Sequence, residues 1–423
     1  MEFEAYFSLA VFLISLIIII SEKINRTVIA LLGAAAVVLM HFFKEKNPLE
    51  YIDFNTIGVL IGMMIIVGIF KNTGVFEYLA IYFAKKAKGD PWKILLSLSI
   101  ITAVTSALLD NVTTVLLIVP MTFVIIRILE VDPIPFLISE ILAANIGGTS
   151  TLIGDPPNIM IGSKAGLSFM DFIINLCPIT IVIFIVTFFI LKIIYKKKLI
   201  VTDDKKNKIL SLSEKKCIKD TKLLKKCLIV LLMVMLGLLF HSQLHYESSI
   251  VALSGAILLI FISGFDIEET FHSVEWPTIF FFAGLFVLVG SLEESGVINK
   301  LAELLIDLTG KDPFLTGVVI IWFSAIVSAF LDNIPFVATL IPLVKVMGDS
   351  GVDIGPLWWA ISLGACLGGN GTLIGASANV VVAGLAEKNG VKLSFLKYLK
   401  IGFPLMIVSI VLSTIYLVVF YLL

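Results

Sequence analysis

The sequence is dominated by apolar runs that are long enough to cross a lipid bilayer. A spanning helix needs about 20 mostly apolar residues. Of 423 residues, 59% are hydrophobic and 15% are charged, which is more apolar side chain than a soluble protein of this size could bury. The chain is therefore predicted to be an all-α polytopic membrane protein. The uninterrupted candidate spans are 5–21, 26–43, 53–71, 172–195, 224–241, 246–263, 275–292 and 398–422.

Four further apolar segments are long but interrupted, and they form two matching pairs. The first member of each pair, 91–130 or 313–347, has an acidic notch in its middle. The second member, 134–170 or 355–387, is broken by glycine-rich polar sequence. The interruptions are Asp110-Asn111, NIGGTSTLIGDPPN at 145–158, Asp332-Asn333 and LGGNGTLIGASAN at 367–379.

The two pairs belong to an internal repeat. Asp110-Asn111 corresponds to Asp332-Asn333 at an offset of 332 − 110 = 222 residues, and Pro120 corresponds to Pro342. After a shift of one residue, Gly147-Gly148 corresponds to Gly368-Gly369. Such matches at glycine, proline and acidic positions over more than a hundred residues indicate two copies of one unit. We expect an N-terminal repeat at 1–195, a basic loop at 196–226 and a C-terminal repeat at 227–423.

The number of crossings predicts that the two copies are inverted. If 91–130 is a re-entrant hairpin and 134–170 crosses once as a broken helix, each half crosses five times, so the second copy enters from the opposite side. By the same scheme, 313–347 is the second hairpin and 355–387 the second broken helix.

The positive charges predict the orientation. With the loop 196–226 placed in the cytoplasm, 31 − 6 = 25 of the Lys and Arg residues lie inside, as the positive-inside rule requires. We therefore expect a multi-pass protein of the plasma membrane whose central basic loop is cytoplasmic. The six residues assigned to the outer side are Lys44, Lys46, Lys164, Lys300, Lys311 and Lys345.

The interruptions are the predicted transport and ion-binding site. Unpaired backbone groups cost several kcal/mol each in hydrocarbon, so unwound segments are tolerated only beside protein or a wet cavity. Broken helices at matching positions of two inverted halves point to a substrate site near the bilayer midplane. The residues predicted to form this site are Asp110, Asn111, Gly148, Thr149, Ser150, Thr151, Asp155, Asn158, Asp332, Asn333, Gly369, Asn370, Thr372 and Asn379.

Some of these residues also fit structural roles. The paired glycines could serve close helix packing, although their recurrence beside Asn and Thr favours a site. Asp155 precedes a proline and could either cap the following half-helix or bind an ion. Glu140, in the same broken span, either faces the cavity or pairs with a neighbour.

The motifs resemble those of a known group of transporters. DNVTTVLLIVP at 110–120, NIGGTSTLIGDPPN at 145–158 and DNIPFVATLIP at 332–342 are similar to signatures of the ion transporter superfamily, in the branch of arsenite permeases, NhaD-type sodium/proton antiporters and the P protein. Related dicarboxylate/sodium symporters have Ser-Asn-Thr at each hairpin tip, where this chain has Asp110-Asn111-Val112 and Asp332-Asn333-Ile334. The resemblance implies secondary active transport, and related transporters are commonly homodimers.

The predicted function is sodium- or proton-coupled exchange of a small inorganic ion. Asp110 and Asp332 would exchange protons and cations, and together with Asn111 and Asn333 they are the predicted sodium ligands. The coupling ion, sodium or a proton, replaces any cofactor, and neither an enzymatic reaction nor a nucleic-acid partner is expected. The alternatives are proton-coupled efflux of arsenite, antimonite or another anion on the same fold, and a passive channel. An intramembrane aspartyl protease is disfavoured because neither LLDN nor FLDN contains a GxGD motif.

Overall fold

The computed structural model describes residues 2–21, 23–41, 43, 46–197 and 199–423, and this part of the chain folds into helices without any β-strand. Lys44, assigned above to the outer side, lies outside the described residues. Short 3₁₀ turns occur at Pro48–Tyr51, Glu214–Cys217 and Gly369–Gly371, and a π-helical turn at Val418–Leu422. The α-helices are α1 Glu2–Ile20, α2 Arg26–Leu39, α3 Phe54–Lys71, α4 Val75–Lys86, α5 Pro91–Leu108, α6 Asn111–Leu129, α7 Ile134–Thr149, α8 Pro156–Ala165, α9 Phe169–Tyr195, α10 Asp203–Leu210, α11 Thr221–Phe240, α12 Ser248–Ser263, α13 Ile267–His272, α14 Trp276–Glu294, α15 Val297–Thr309, α16 Pro313–Phe330, α17 Asn333–Asp349, α18 Gly355–Gly368, α19 Ser377–Lys388 and α20 Phe395–Leu417.

Long apolar helices confirm a multi-pass membrane protein. In the described part of the chain, nine helices are long and apolar enough to cross a bilayer, and α2, α7 and α12 are shorter apolar helices. Each uninterrupted apolar run of the sequence contains one long helix or one of the two short helices α2 and α12. Helix α2 is shorter than the predicted run 26–43, because it ends at Leu39 and His41 then adopts a left-handed conformation with φ of 55°.

The two copies have the same helices in the same order, so the predicted two-repeat fold is confirmed. Helices α1 to α9 correspond to α11, α12 and α14 to α20, with α10 and α13 as additional short elements. Helix α5 packs along α7, and its counterpart α16 packs along α18. In addition, α2 packs on α14 and α12 packs on α3, so the repeats exchange helices and form one body.

Each acidic notch is a turn between two helices. In the first copy, α5 ends at Leu108 and α6 begins at Asn111, with the Asp110 carboxylate accepting a 2.7 Å hydrogen bond from the Thr113 amide. In the second copy, α16 ends at Phe330 and α17 begins at Asn333. An aspartate that caps a helix start satisfies amides that otherwise lack partners, so the notch residues end one helix and begin the next.

Each glycine-rich segment is a break between two half-helices. Helix α7 ends at Thr149 and α8 begins at Pro156, while α18 ends at Gly368 and α19 begins at Ser377. The first glycine of the first pair also serves packing, because a Cβ on Gly147 would lie 2.2 Å from the Ala103 carbonyl oxygen of α5. The packing interpretation therefore applies to Gly147, and the site interpretation of the glycine pairs stays a prediction.

The loop 196–226 folds onto the N-terminal repeat. It contains α10, and Lys205 forms a 2.8 Å ion pair with Glu130 at the end of α6. Lys85 at the end of α4 forms a 2.6 Å ion pair with Glu214. The cytoplasmic location of the loop 196–226 stays a prediction. The division of the chain after residues 195 and 226 also stays a prediction.

Candidate transport site

Hydroxyl groups attach each hairpin to the broken helix that follows it. Ser106 donates a 2.6 Å hydrogen bond to the Ala144 carbonyl, and its repeat counterpart Ser328 donates a 2.6 Å bond to Ala365. Thr151 in the first break donates a 2.5 Å bond to the Ala107 carbonyl, as Thr372 in the second break does to Ala329. The hairpin arm α5 or α16 and the adjacent break therefore form one hydrogen-bonded unit in each repeat.

A buried asparagine holds each break open. The Asn158 side-chain amide donates to the Thr149 and Thr151 carbonyls at 3.1 and 2.9 Å. The Asn379 amide donates to the Gly369 and Thr372 carbonyls at 2.7 and 2.9 Å. Both asparagines are fully buried. They replace the intrahelical partners that the unwound carbonyls lack, which makes a broken helix tolerable inside a membrane.

The oxygens of the same two asparagines join the repeats to each other. Asn379 accepts a 2.9 Å hydrogen bond from the Asn145 amide of α7. Asn158 accepts a 2.6 Å bond from the Ser362 hydroxyl of α18, with the Cys366 thiol at 3.6 Å. Asn145 and Cys366 are repeat counterparts at an offset of 366 − 145 = 221. The two breaks therefore meet at the centre of the described structure in a crossed arrangement.

The hairpin asparagines reach these breaks, but with different partners. Asn111 donates to the Asn145 side-chain oxygen at 3.3 Å. Asn333 donates to both carboxylate oxygens of Asp155 at 3.2 Å. Asp155 lies at the start of α8 yet accepts no capping hydrogen bond from that helix. Its carboxylate therefore faces the second hairpin rather than capping α8.

The two hairpin aspartates occupy different environments. The Arg26 guanidinium forms a 2.8 Å ion pair with Asp332, and the Ser377 hydroxyl donates to the same oxygen at 2.7 Å. Asp110 accepts a hydrogen bond from the Thr113 amide, and in the described part of the chain it forms no ion pair. No hydrogen bond joins Asp110 to Asp332 among the described residues. The two aspartates therefore match in the sequence repeat, but only Asp332 is paired with a positive charge.

A cavity of about 400 Å³ lies beside the second hairpin tip. Its polar side chains include Arg26, Glu275, Asp332 and Ser377, and Val112 of the first hairpin also borders it. A second cavity, of about 420 Å³, lies near Asp53, the repeat counterpart of Glu275, and its lining contains no residue of a hairpin tip or of a break. The hairpin tips therefore adjoin only the first of these two cavities.

Acidic groups outnumber basic ones around the hairpin tips. Asp155 lies close enough to Asp110 and Asp332 to interact with both electrostatically, and Glu275 interacts with Asp110 in the same way. Four carboxylates and one guanidinium, that of Arg26, give a formal charge of −4 + 1 = −3. Asp110 is 7% exposed and Asp155 is 1% exposed. Uncompensated charges are expensive inside a membrane, so a proton or a bound cation is expected at the buried Asp110 and Asp155 carboxylates.

One amide donor in the centre has no partner. Asn379 is oriented by the two carbonyls to which its amide donates, so its oxygen must face Asn145. Asn145 therefore presents its amide, and the oxygen of Asn370 accepts from it at 3.0 Å. The Asn370 amide nitrogen then points away, is buried, and meets no acceptor among the described residues. A buried donor without a partner costs about 1–3 kcal/mol, so it marks a place where an acceptor is expected.

Several predicted residues have local hydrogen bonds. Thr149 and Ser150 donate to the carbonyls of Asn145 and Gly147 in their own helix, at 2.6 and 2.5 Å. Gly148 allows the break to fold back, because a Cβ there would lie 2.6 Å from the Gly154 carbonyl oxygen. At Gly369 a Cβ would lie 3.1 Å from the Gly375 carbonyl oxygen, a tight but less severe contact.

The sequence did not identify Asn145, Arg26, Glu275 and Ser377 as site residues. Asn145 is part of the quoted motif NIGGTSTLIGDPPN, but its repeat counterpart is Cys366, so repeat matching did not select it. Arg26 is the first residue of an ordinary span, and only this position at the start of α2 could have indicated a role near a membrane boundary.

The predicted sodium ligands do not form one cluster. Within the described chain, no group of three or more His, Cys, Asp or Glu residues is arranged to hold a metal ion. Asn111 and Asn333 present their amide nitrogens to Asn145 and Asp155, and the Asp332 carboxylate binds Arg26. A sodium site made of Asp110, Asn111, Asp332 and Asn333 stays a prediction and would require these groups to rearrange.

The fold and the site together define a membrane transporter of two inverted repeats, each with a helical hairpin and a broken helix. A search of family models matches residues 16–364 to the citrate transporter family. The chain belongs to this family, which confirms the predicted membership of the ion transporter superfamily.

Related proteins cover most of the chain. It is 43% identical to an uncharacterized transporter of Mycobacterium bovis over 418 residues, which is 97% of both proteins. It is 35% identical to the human P protein over an alignment of 487 residues, covering 95% of this chain and 58% of that protein. The crystal structure of the Alcanivorax borkumensis YdaH transporter has the same fold, with a TM-score of 0.60, 14% identity and coverage of 91% and 89% of the two chains.

Proposed function

We propose that this protein is a secondary active transporter that exchanges a proton and a cation at Asp110 and Asp155. The excess of four carboxylates over one guanidinium around the hairpin tips carries this proposal. A buried carboxylate can be neutralised by a proton or by a cation, and the two compete because each stabilises a different form of the group. Asp332 has a smaller role in this exchange than its sequence position suggests, because Arg26 already neutralises it.

The two cavities support alternating access. The cavity beside Arg26 adjoins the hairpin tips, whereas the cavity near Asp53 does not include them. This arrangement fits one of two states in which the site opens to one side at a time. With the basic loop in the cytoplasm, the cavity beside Arg26 lies on the inner side of the membrane.

An anionic cargo moved together with the coupling ion is the second candidate. The free Asn370 amide and the Arg26 guanidinium are donors suited to an oxygen-bearing anion. The family description, citrate transporter, is compatible with a carboxylate cargo. Arsenite or antimonite efflux on the same fold is a further anion reaction that these donors would support.

Flux into proteoliposomes tests the proposal. Purified protein is reconstituted, a sodium or pH gradient is imposed, and proton movement is followed with a pH dye, while citrate and arsenite uptake are measured in parallel. We expect a sodium gradient to drive proton flux, and Asp110→Asn and Asp155→Asn to abolish it. Asp307→Asn, at an exposed aspartate of α15, is the matched control and should retain the wild-type rate. Full coupled flux in both site variants would refute the exchange role of these carboxylates. Gradient-driven citrate uptake without sodium-driven proton flux would favour the anion cargo.

A further inference from the structure

The buried carboxylate of Glu140 lies outside the site described above. Glu140 is in the middle of α7, a helix in which every residue from Pro135 to Thr149 is buried, and it is 1% exposed. One carboxyl oxygen is hydrogen bonded to the Thr122 hydroxyl of α6, and the other has no partner among the described residues. Neither the hairpin tips nor the two breaks touch it through a hydrogen bond.

The hydrogen bonds around Thr122 define the protonation state of Glu140. The Thr122 oxygen lies within hydrogen-bonding distance of Glu140 and also 3.3 Å from the Ile118 carbonyl oxygen. A hydroxyl has one proton to donate. If Glu140 carries a proton, it donates to Thr122, and Thr122 donates to Ile118. If Glu140 is ionised, a full negative charge remains buried with one of its oxygens unsatisfied, at a cost of several kcal/mol.

Among the described residues, no charged group forms an ion pair that would compensate an ionised Glu140. The helices packed against α7 include α5, α6, α9, α18, α19 and α20. Titratable side chains that these helices place in the interior include Asp110, Tyr195, Cys366 and Tyr398. In the described structure none of them forms a hydrogen bond or an ion pair with Glu140, and Thr122 is its single side-chain hydrogen-bond partner. The neutral, protonated form is therefore the one that fits this conformation.

The second repeat forms the equivalent helix contact without any polar pair. The counterparts of Thr122 and Glu140 are Val344 and Ile361, at offsets of 222 and 221, and both are fully buried. Helices α17 and α18 pack against each other, as α6 and α7 do in the first repeat, and both positions are apolar in the second repeat. The fold therefore does not need an acid at this position.

A polar face of α6 connects Glu140 with the transport site. Asn111, Thr114 and Thr122 lie at helical spacings i, i+3 and i+11, and Asn111 and Thr122 both form hydrogen bonds with residues of α7. Asn111 bonds to Asn145 at the centre of the site, and the Thr114 hydroxyl is buried without a partner. The distance along α6 from Asn111 to Thr122 is about 16 Å. Water that entered this face when the helices moved would reach the Glu140 carboxyl.

We propose that Glu140 is a second proton-binding site, separate from Asp110 and Asp155, which holds a proton in the present conformation and releases it when the α6–α7 contact opens. In the release step the carboxyl O–H bond breaks, the proton passes to a water molecule, and the carboxylate is hydrated. Rebinding reverses these changes and restores the Glu140–Thr122–Ile118 chain. The transport role of this proton rests on the proposed function, whereas its presence does not.

Infrared difference spectroscopy tests the protonation directly. Spectra of the purified protein near neutral pH are compared with those of Glu140→Gln, a variant of the same size that has no titratable proton. We expect the carbonyl band of a protonated carboxylic acid in the wild type to lose intensity in this variant and to keep it in Asp307→Asn. An unchanged band in Glu140→Gln means that Glu140 is ionised and overturns the proposal.

Proton counting tests the transport role. In proteoliposomes with a sodium gradient, and in a second series with citrate, Glu140→Gln is expected to move one proton fewer per transported ion than the wild type. The double variant Thr122→Val/Glu140→Ile, which copies the second repeat, controls for folding and should show the same deficit. An unchanged number of protons per transported ion in both variants would mean that Glu140 takes no part in transport, and would overturn its proposed transport role. If wild-type protein shows no coupled flux at all, the proposed exchange function fails, and the infrared result alone decides whether Glu140 binds a proton.

Discussion

The ion pair between Arg26 and Asp332 offers a quantitative test of the site. Arg26→Gln removes a guanidinium that donates to Asp332 at 2.8 Å and to Ser377 at 2.6 Å, and that lies 5.0 Å above the Phe281 ring. The Asp332 side chain is 13% exposed, so the variant leaves a nearly buried carboxylate without a cation. Of the cavity residues described above, only Ser377 would still donate to it.

The contacts that Arg26→Gln removes determine how much stability is lost. A hydrogen bond to a charged group contributes about 1.5–3 kcal/mol, and a cation over an aromatic ring about 0.5–1 kcal/mol. Since the Arg26 side chain is 32% exposed, solvent screening reduces the sum. We expect Arg26→Gln to lower the free energy of unfolding by about 2 kcal/mol, a value below the 3–5 kcal/mol of fully buried pairs.

A double-mutant cycle in mixed detergent micelles measures the pair itself. Unfolding is compared for the wild type, Arg26→Gln, Asp332→Asn and the double variant, with the exposed Lys23→Gln as a control for loss of a nearby positive charge. We expect a coupling energy of about 1–2 kcal/mol. A coupling energy indistinguishable from zero would mean that Arg26 does not stabilise the Asp332 carboxylate, and the smaller role in exchange assigned to Asp332 would then be wrong.

Three other predictions concern the packing and the loop. Asn145→Ala removes three buried amide contacts, to Asn111, Asn370 and Asn379, and should lower the free energy of unfolding by about 2–4 kcal/mol. Asn145→Cys, which copies the second repeat, should lower it less. Equal losses for the two variants in a detergent unfolding assay would contradict the stabilising role of these amide contacts. Gly147→Val should lower the free energy of unfolding by about 3 kcal/mol or more, because its Cβ would collide with Ala103. Gly384→Ala should leave the free energy of unfolding nearly unchanged, because nothing lies within 4 Å of a Cβ there. Thermal denaturation of the two variants compares these effects. The Lys85 ammonium holds the pKa of Glu214 below its usual 4.5. The carboxylate is therefore favoured in the folded loop, so the contribution of this pair is present above pH 4.5 and lost as the pH falls below it. Limited proteolysis of the segment 196–220 should accelerate at low pH in the wild type, and Lys85→Gln should remove that pH dependence; a pH dependence retained in Lys85→Gln would refute the role of the pair.

The fold was largely predictable because membrane helices follow from local sequence. The acidic notch in 91–130 became the turn between α5 and α6, and the glycine-rich segment 145–158 contains the end of α7 and the start of α8. Both features depend on residues that are adjacent in the chain, namely an aspartate that caps a helix and glycines and prolines that interrupt one. The internal repeat then predicted the corresponding turn and break in the second copy.

The charge pairing was not predictable, because it depends on which helices meet across the two repeats. Repeat matching gives Asp110 and Asp332 the same role, but the partner of Asp332 comes from α2, and the counterpart of Arg26 at offset 222 is Ser248 in α12. Similarly, Asn145 and Cys366 occupy equivalent positions with different chemistry. These differences lie in single residues of otherwise matching helices, and a periodic pattern carries no information about them.

Proton release upon cation binding tests the central claim most directly. Sodium chloride is added to purified wild-type protein in weakly buffered detergent solution near neutral pH, with choline chloride as the control salt, and a pH indicator records the change. We predict that sodium releases protons from the wild type and that the double variant Asp110→Asn/Asp155→Asn releases none. Equal release from the wild type and the double variant, or none from the wild type, would contradict the account.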